Sequence, residues 1–176
     1  VKGAYWDAEV KRSQELGLDD YPVFTSKAAT DLSYVRCAER LLDHADCLFP
    51  QFATHNPVTA GCVIALAEAR LGPGALARFE MQRLQGMGAG LDAALRAHFP
   101  ALAMRLYAPV GSRRELLAYL VRRLLENGAS TSYVRQAARA KPRELVRTGF
   151  AFLDGPPPGA GLPKPRELHM PDRIIA

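Results

Sequence analysis

The chain has 176 residues, 48% of them apolar and 8% aromatic, and its 23 Lys and Arg against 18 Asp and Glu leave a net charge of +5. That composition fits one soluble globular domain and excludes a disordered chain, whose apolar content is too low to bury a core. Charge interrupts every apolar run well short of the roughly 20 residues a bilayer crossing needs, and the modest, dispersed positive balance suits phosphates or carboxylates without arguing for nucleic acid.

From Val1 onward, short β-rich runs alternate with longer amphipathic stretches, the pattern of βα units around a parallel sheet. A first strand is expected over Val1 to Tyr5, with a helix from near Trp6. After an insert around Tyr21-Pro22, a second helix runs from Lys27 to about Asp43 with Ala28, Leu32, Val35 and Leu42 on one stripe. The next strand spans Leu48 to Ala53 and leads through Thr54-His55-Asn56 into a helix with Asn56 as N-cap, Pro57 at its first position and Gly72-Pro73 as its stop. Phe79 to Leu84 forms a third strand, followed by Gly86, Gly88 and Gly90 and a helix from Leu91 to His98. The fourth strand covers Met104 to Val110. Ser112 with Glu115 then makes a capping box for a helix that closes at Asn127-Gly128, and a short helix is expected from Thr131 to Arg139.

Beyond Lys141 prolines accumulate, and residues 141–176 are expected to form a Pro/Gly-rich linker. About four βα units allow a small open sheet or half of a (β/α)₈ barrel, since a complete barrel takes roughly 250 residues. The chain opens on Val1 without a signal peptide, which leads to the expectation of an internal cut. Cys37, Cys47 and Cys62 form no CxxC pair or zinc spacing, and their odd number suits a reducing compartment.

In parallel architectures ligands gather at the carboxyl ends of the strands. The residues there include a cation, an imidazole, amides and a phenol, with no Ser/His/Asp set, paired carboxylates or metal-ligand cluster. His55 precedes a helix N-terminus, so it suits either an anion site or a simple loop hydrogen bond. The glycine run 86–90 departs from the dinucleotide fingerprint, with Leu91 in the third glycine's place, and reads as a tight turn. On the helix from Arg113, the residues Leu116, Leu117, Leu120, Val121 and Leu124 share one face, opposite Tyr119, Arg122, Arg123 and Glu126. Periodicity alone makes Arg122 and Arg123 solvent-facing, with Arg122 and Glu126 an i,i+4 ion pair; a helix lying over a cavity would instead turn two guanidiniums toward a carboxylate ligand.

Four segments carry a resemblance: Val1-Lys2-Gly3-Ala4-Tyr5-Trp6-Asp7, Gln51-Phe52-Ala53-Thr54-His55-Asn56, Tyr107-Ala108-Pro109-Val110-Gly111, and Leu117-Ala118-Tyr119-Leu120-Val121-Arg122-Arg123-Leu124-Leu125-Glu126-Asn127-Gly128. Over about residues 1 to 140 they resemble, in collinear order, the FAD-dependent proline dehydrogenase family, and most of all the proline dehydrogenase domain of the bifunctional proline utilisation A flavoenzymes. The tail Leu162-Pro163-Lys164-Pro165-Arg166-Glu167-Leu168 resembles the connector toward that family's aldehyde dehydrogenase domain. The resemblance implies an α/β fold in which residues 1–140 form the C-terminal half of a (β/α)₈ barrel, with the last helix over the barrel mouth.

It further implies that Arg122 and Arg123 bind the carboxylate of L-proline and that Glu126 holds their geometry. Tyr107 and Tyr5 would pack on the substrate ring, and Leu84 would supply apolar wall. Lys2, Gly3, Ala4, Trp6, Thr54, His55, Asn56 and Gln82 match flavin-binding positions. The implied reaction is hydride transfer from proline to FAD, giving 1-pyrroline-5-carboxylate, with a quinone as electron acceptor. A cytoplasmic location, peripheral at the inner membrane, goes with it. The family's first four strands, which include a substrate-binding lysine and an aspartate beside the flavin, have no counterpart in this sequence, and Gln85 stands where relatives often carry histidine. Two functional readings follow: part of a proline-oxidising flavoenzyme, or a non-catalytic half barrel that binds an anionic metabolite or a partner subunit.

Overall fold

A computed structural model describes residues 6–128 and 162–168. The expected strand over Val1 to Tyr5 and the short helix from Thr131 to Arg139 lie outside the described residues. The chain divides into two compact units, one comprising Val1 and Val35–Phe150, the other Lys2–Tyr34 and Ala151–Ala176.

The first unit holds a parallel three-stranded sheet in the order β1 (Gln51–Ala53), β2 (Glu80–Leu84), β3 (Ala103–Tyr107). Each strand is followed by a helix: α3 (Pro57–Leu71), α4 (Ala89–His98) and α5 (Arg113–Gly128). The α/β class and parallel sheet expected from the sequence are therefore present. β1 is shorter than expected. Pro50 contributes its carbonyl to Glu80 N at 3.1 Å but has no N–H of its own, and Leu48 and Phe49 before it are exposed. β3 stops at Tyr107 instead of Val110, two residues before Pro109, and Val110 is fully exposed.

The side-chain alternation of the strands builds the core. Phe52 and Met81 are register partners on one sheet face, and both are buried. Phe52 meets Phe79 edge to face at 5.8 Å, and Ala60, Val63, Ile64 and Ala67 of α3 are buried with them. Leu42 and Ala38 close the end of α2 (Lys27–Leu42), where Arg70 of α3 pairs with Glu39 and Asp43. Of the stripe expected on α2, only Leu42 is buried; Ala28, Leu32 and Val35 are half-buried.

The caps follow the sequence closely. Asn56 Oδ1 accepts from Val58 N at 3.0 Å, and Gly72 ends α3 at a φ of 64° that a side chain would disfavour. Ser112 and Glu115 form the reciprocal box at α5, with Glu115 Oε2 accepting from Ser112 N at 2.7 Å. α4 begins at Ala89, two residues earlier than expected, because Gly88 at φ 66° makes the turn before it.

The second unit pairs α1 (Trp6–Glu15) with a one-turn helix, α6 (Pro165–Leu168), inside the segment expected to be a linker. Tyr21 Oη donates to Pro163 O at 2.8 Å and accepts from Gln14 Nε2 at 3.1 Å. Arg166 N donates to Leu18 O, its guanidinium meets Asp19, and Pro165 is fully buried. No helix among the described residues is long and apolar enough to cross a membrane.

Candidate functional site

The face of the sheet opposite Phe52 and Met81 carries Gln51 and Ala53 from β1, Glu80, Gln82 and Leu84 from β2, and Ala103, Arg105 and Tyr107 from β3. At its carboxyl end Leu84 and Tyr107 are register partners, so neighbouring strands place an apolar side chain beside a phenol. The residues 54–56 leave β1 at the same end and open α3. Sequence order alone thus brings six of the expected site residues, Thr54, His55, Asn56, Gln82, Leu84 and Tyr107, to one rim.

His55 organises that rim. β1 ends at Ala53, so no strand backbone reaches Leu84 N. The imidazole takes that place, Nε2 accepting from Leu84 N at 3.0 Å. An accepting Nε2 carries no proton, which leaves the neutral ring protonated at Nδ1. Gly88 lies against the adjacent carbon edge of the ring, where a Cβ would stand 2.8 Å from His55 Cδ2. Of the two roles open to His55 in the sequence, the hydrogen bond within the rim is the one observed for Nε2. Thr54 Oγ1 accepts from Asn56 N at 3.1 Å and keeps its own hydroxyl proton to donate.

The turn after β2 is held from the outer face. Arg83 donates to Met87 O at 3.3 Å and pairs with Asp92 of α4. This explains the glycine run without a dinucleotide: Gly86 and Gly88 have positive φ and the turn is closed by protein groups.

Below the rim lies a cluster of which only Gln82 was an expected site residue. Glu80 is buried, and its Oε1 accepts from Gln51 Nε2 at 2.8 Å, Gln82 Nε2 at 2.7 Å and Arg105 Nε at 2.7 Å, one donor from each strand. The hydrogen bond from Arg105, opposed by burial and joined by those from Gln82 and Gln51 and by the guanidinium charge, holds the Glu80 carboxyl below its ordinary value of 4.5. Polar residues at alternate positions of strands flanked by apolar ones were the available signal. A group with a lowered folded-state pKa stabilises fully above its unfolded value and loses that contribution as pH falls toward the folded one. The stability difference between wild type and Glu80→Gln is therefore expected to be constant above pH 4.5 and to shrink below it in urea titrations. A difference that disappeared nearer neutrality would contradict the assigned direction.

α5 leaves much of its apolar face uncovered, with Leu116 alone half-buried among the described members of that face. Leu117, Leu120 and Val121 are 59%, 55% and 47% exposed, whereas Tyr119 and Arg123 on the other side are half-buried, with the Arg123 guanidinium 5.5 Å from the Tyr119 ring centre. Arg123 is thus partly withdrawn from solvent. The side chains of Arg122 and Glu126 lie outside the described residues, as do Lys2, Gly3, Ala4 and Tyr5 altogether. Trp6 belongs to the second unit, where its indole Nε1 donates to Phe24 O at 2.8 Å. No group of three or more metal-ligating side chains occurs among the described residues.

Comparison with known proteins adds the decisive observation. The family model described as proline dehydrogenase matches residues 1–136. The chain belongs to the proline dehydrogenase family. Within that family it is similar to the bifunctional protein PutA of Salmonella typhimurium, 44% identical over 192 residues that cover 99% of this chain and 14% of that protein. Human mitochondrial proline dehydrogenase 1 is 32% identical over 86% of this chain and 26% of its own length. A crystal structure of a variant of Bradyrhizobium japonicum PutA superposes with a TM-score of 0.81 at 51% identity, covering 97% of this chain and 17% of that one. The chain thus spans a small part of the much longer bifunctional proteins it matches, and its α/β sheet is similar to theirs.

Proposed function

We propose that residues 1–140 are the C-terminal half of a proline dehydrogenase (β/α)₈ barrel with α5 over its mouth, and that residues 141–176 connect it toward an aldehyde dehydrogenase domain. The protein carrying this chain oxidises L-proline to 1-pyrroline-5-carboxylate, with a quinone as final acceptor, in a cytoplasmic setting peripheral to the inner membrane. The observation that supports this reading best is the rim itself. Leu84 and Tyr107 sit in register at the carboxyl end of a parallel sheet, where such folds hold their ligands, inside a match that extends over residues 1–136.

The donor chemistry of the rim fits FAD. The free hydroxyl proton of Thr54 and the N-terminal dipole of the 15-residue α3 favour a diphosphate beside the 54–56 loop. Thr54, His55, Asn56 and Gln82, with Lys2, Gly3, Ala4 and Trp6, are the residues proposed to hold it. When bound, FAD supplies the hydride acceptor.

The chain's own groups then bind and orient the substrate. Arg122 and Arg123 clamp the proline carboxylate, since a planar guanidinium meets a carboxylate through two parallel hydrogen bonds, and Glu126 keeps the pair aligned. Tyr107, Tyr5 and Leu84 enclose the pyrrolidine ring, exclude water and limit its rotation, which lowers the entropic part of the barrier.

The test uses the protein at its natural length, supplied with FAD. It should be yellow, and proline should bleach the flavin absorbance under anaerobic conditions. A colourless protein, or an absorbance that proline leaves unchanged, would overturn the reading.

A further inference from the structure

Glu80 is the one buried carboxylate among the described residues, and nothing in the reading above uses it. With its pKa lowered by Arg105, it is ionised at neutral pH and can only accept hydrogen bonds. Any amide that meets it must therefore present its NH₂ group. Gln82 does so, its Nε2 lying 2.7 Å from Glu80 Oε1. Because the nitrogen and oxygen of a carboxamide diverge from one carbon, this contact turns Gln82 Oε1 away from the cluster. No described group donates to that oxygen, and Gln82 is half-buried, on the same sheet face as the Leu84 and Tyr107 pair.

We propose that Glu80 is a positioning residue that fixes the Gln82 carboxamide with its carbonyl oxygen offered to the bound ligand, as the acceptor for the imide N–H of the flavin. The inference rests on the flavin reading given above. It makes Gln82 an acceptor there and not a donor, and it gives the ion pair between buried Glu80 and exposed Arg105 a function: Arg105 keeps Glu80 ionised, and the ionised carboxylate keeps the amide from turning over. A neutral partner at position 80 could donate as readily as accept, and the orientation of Gln82 would be lost.

The experiment measures FAD affinity and the visible flavin spectrum of the natural-length protein in three variants, Glu80→Gln, Gln82→Leu and the double substitution, after circular dichroism shows each to be folded. Loss of one neutral hydrogen bond predicts weaker FAD binding by about 3- to 10-fold in each single variant. The double variant should bind no more weakly than Gln82→Leu, and both single variants should displace the flavin absorption band in the same direction. Should Glu80→Gln fail to fold, Glu80→Asp, which keeps the charge but withdraws it by one methylene, takes its place with the same expected loss. Wild-type affinity and spectrum in folded Gln82→Leu would overturn the proposal. So would a Glu80 variant that matches wild type while Gln82→Leu does not. If the wild-type protein itself binds no FAD, the functional reading falls along with it.

Discussion

Replacing Arg123 by alanine is expected to raise the KM for proline by about 10²- to 10³-fold in the natural-length protein, the consequence of removing one partner from a desolvated, hydrogen-bonded charge pair. FAD content should be unchanged, because the groups proposed to hold the flavin lie on other elements. Arg123→Lys should fall between alanine and wild type: it restores the charge but neither the planar fork nor the stacking over Tyr119. Arg114→Ala, exposed at the start of the same helix, serves as the control and should leave KM alone. The basis is the exposure along α5, where Leu117, Leu120 and Val121 are exposed while Tyr119 and Arg123, like Leu116, are half-buried. A KM for Arg123→Ala equal to that of wild type would return the arginine to a solvated surface role.

The largest loss of stability is expected from Gly88→Ala. Two independent costs meet at this residue. Its φ of 66° disfavours any side chain, and an added Cβ would stand 2.8 Å from His55 Cδ2, closer than real contacts allow. The ring has little freedom to yield, since Nε2 is engaged by Leu84 N; if it does move, a backbone donor in the rim loses its acceptor. Together these predict a destabilisation of about 2–4 kcal/mol by urea denaturation. Gly86→Ala separates the two costs. Gly86 also has a positive φ, at 84°, but nothing lies within 4 Å of its added Cβ, so only the backbone cost of about 1–2 kcal/mol applies. Equal losses in the two variants would show that the contact with His55 does not matter.

Much of the fold was legible because its signals are local. Asn56 with Pro57, Ser112 with Glu115, and Gly72 act within a few residues of themselves, and the caps they predict are present. Strand lengths were less legible, since β1 and β3 end where Pro50 and Pro109 interrupt pairing with a neighbouring strand, and a strand run alone does not reveal its partner's register. The rim was legible as positions but not as bonds. His55 was an evident candidate at a strand end, yet its engagement with Leu84 spans 29 residues of sequence and has no local signature. Glu80 was missed for the same reason, as its donors arrive from three strands. The two arginines could not be assigned by helical periodicity, which reports only that a helix has two unlike faces and not which of them is covered.

The seam between Tyr21 and Pro163, and that between Asp19 and Arg166, join residues 142 and 147 positions apart. An interaction of such long range must wait until residues 163 to 166 have left the ribosome, whereas the β1–β2–β3 region can assemble from neighbours in order. The unit built on α1 is therefore completed after the β1–β2–β3 region during synthesis. Until those residues arrive, Tyr21 Oη has no Pro163 carbonyl to donate to and Leu18 O no Arg166 N–H to accept from, so α1 is held by only part of its final contacts.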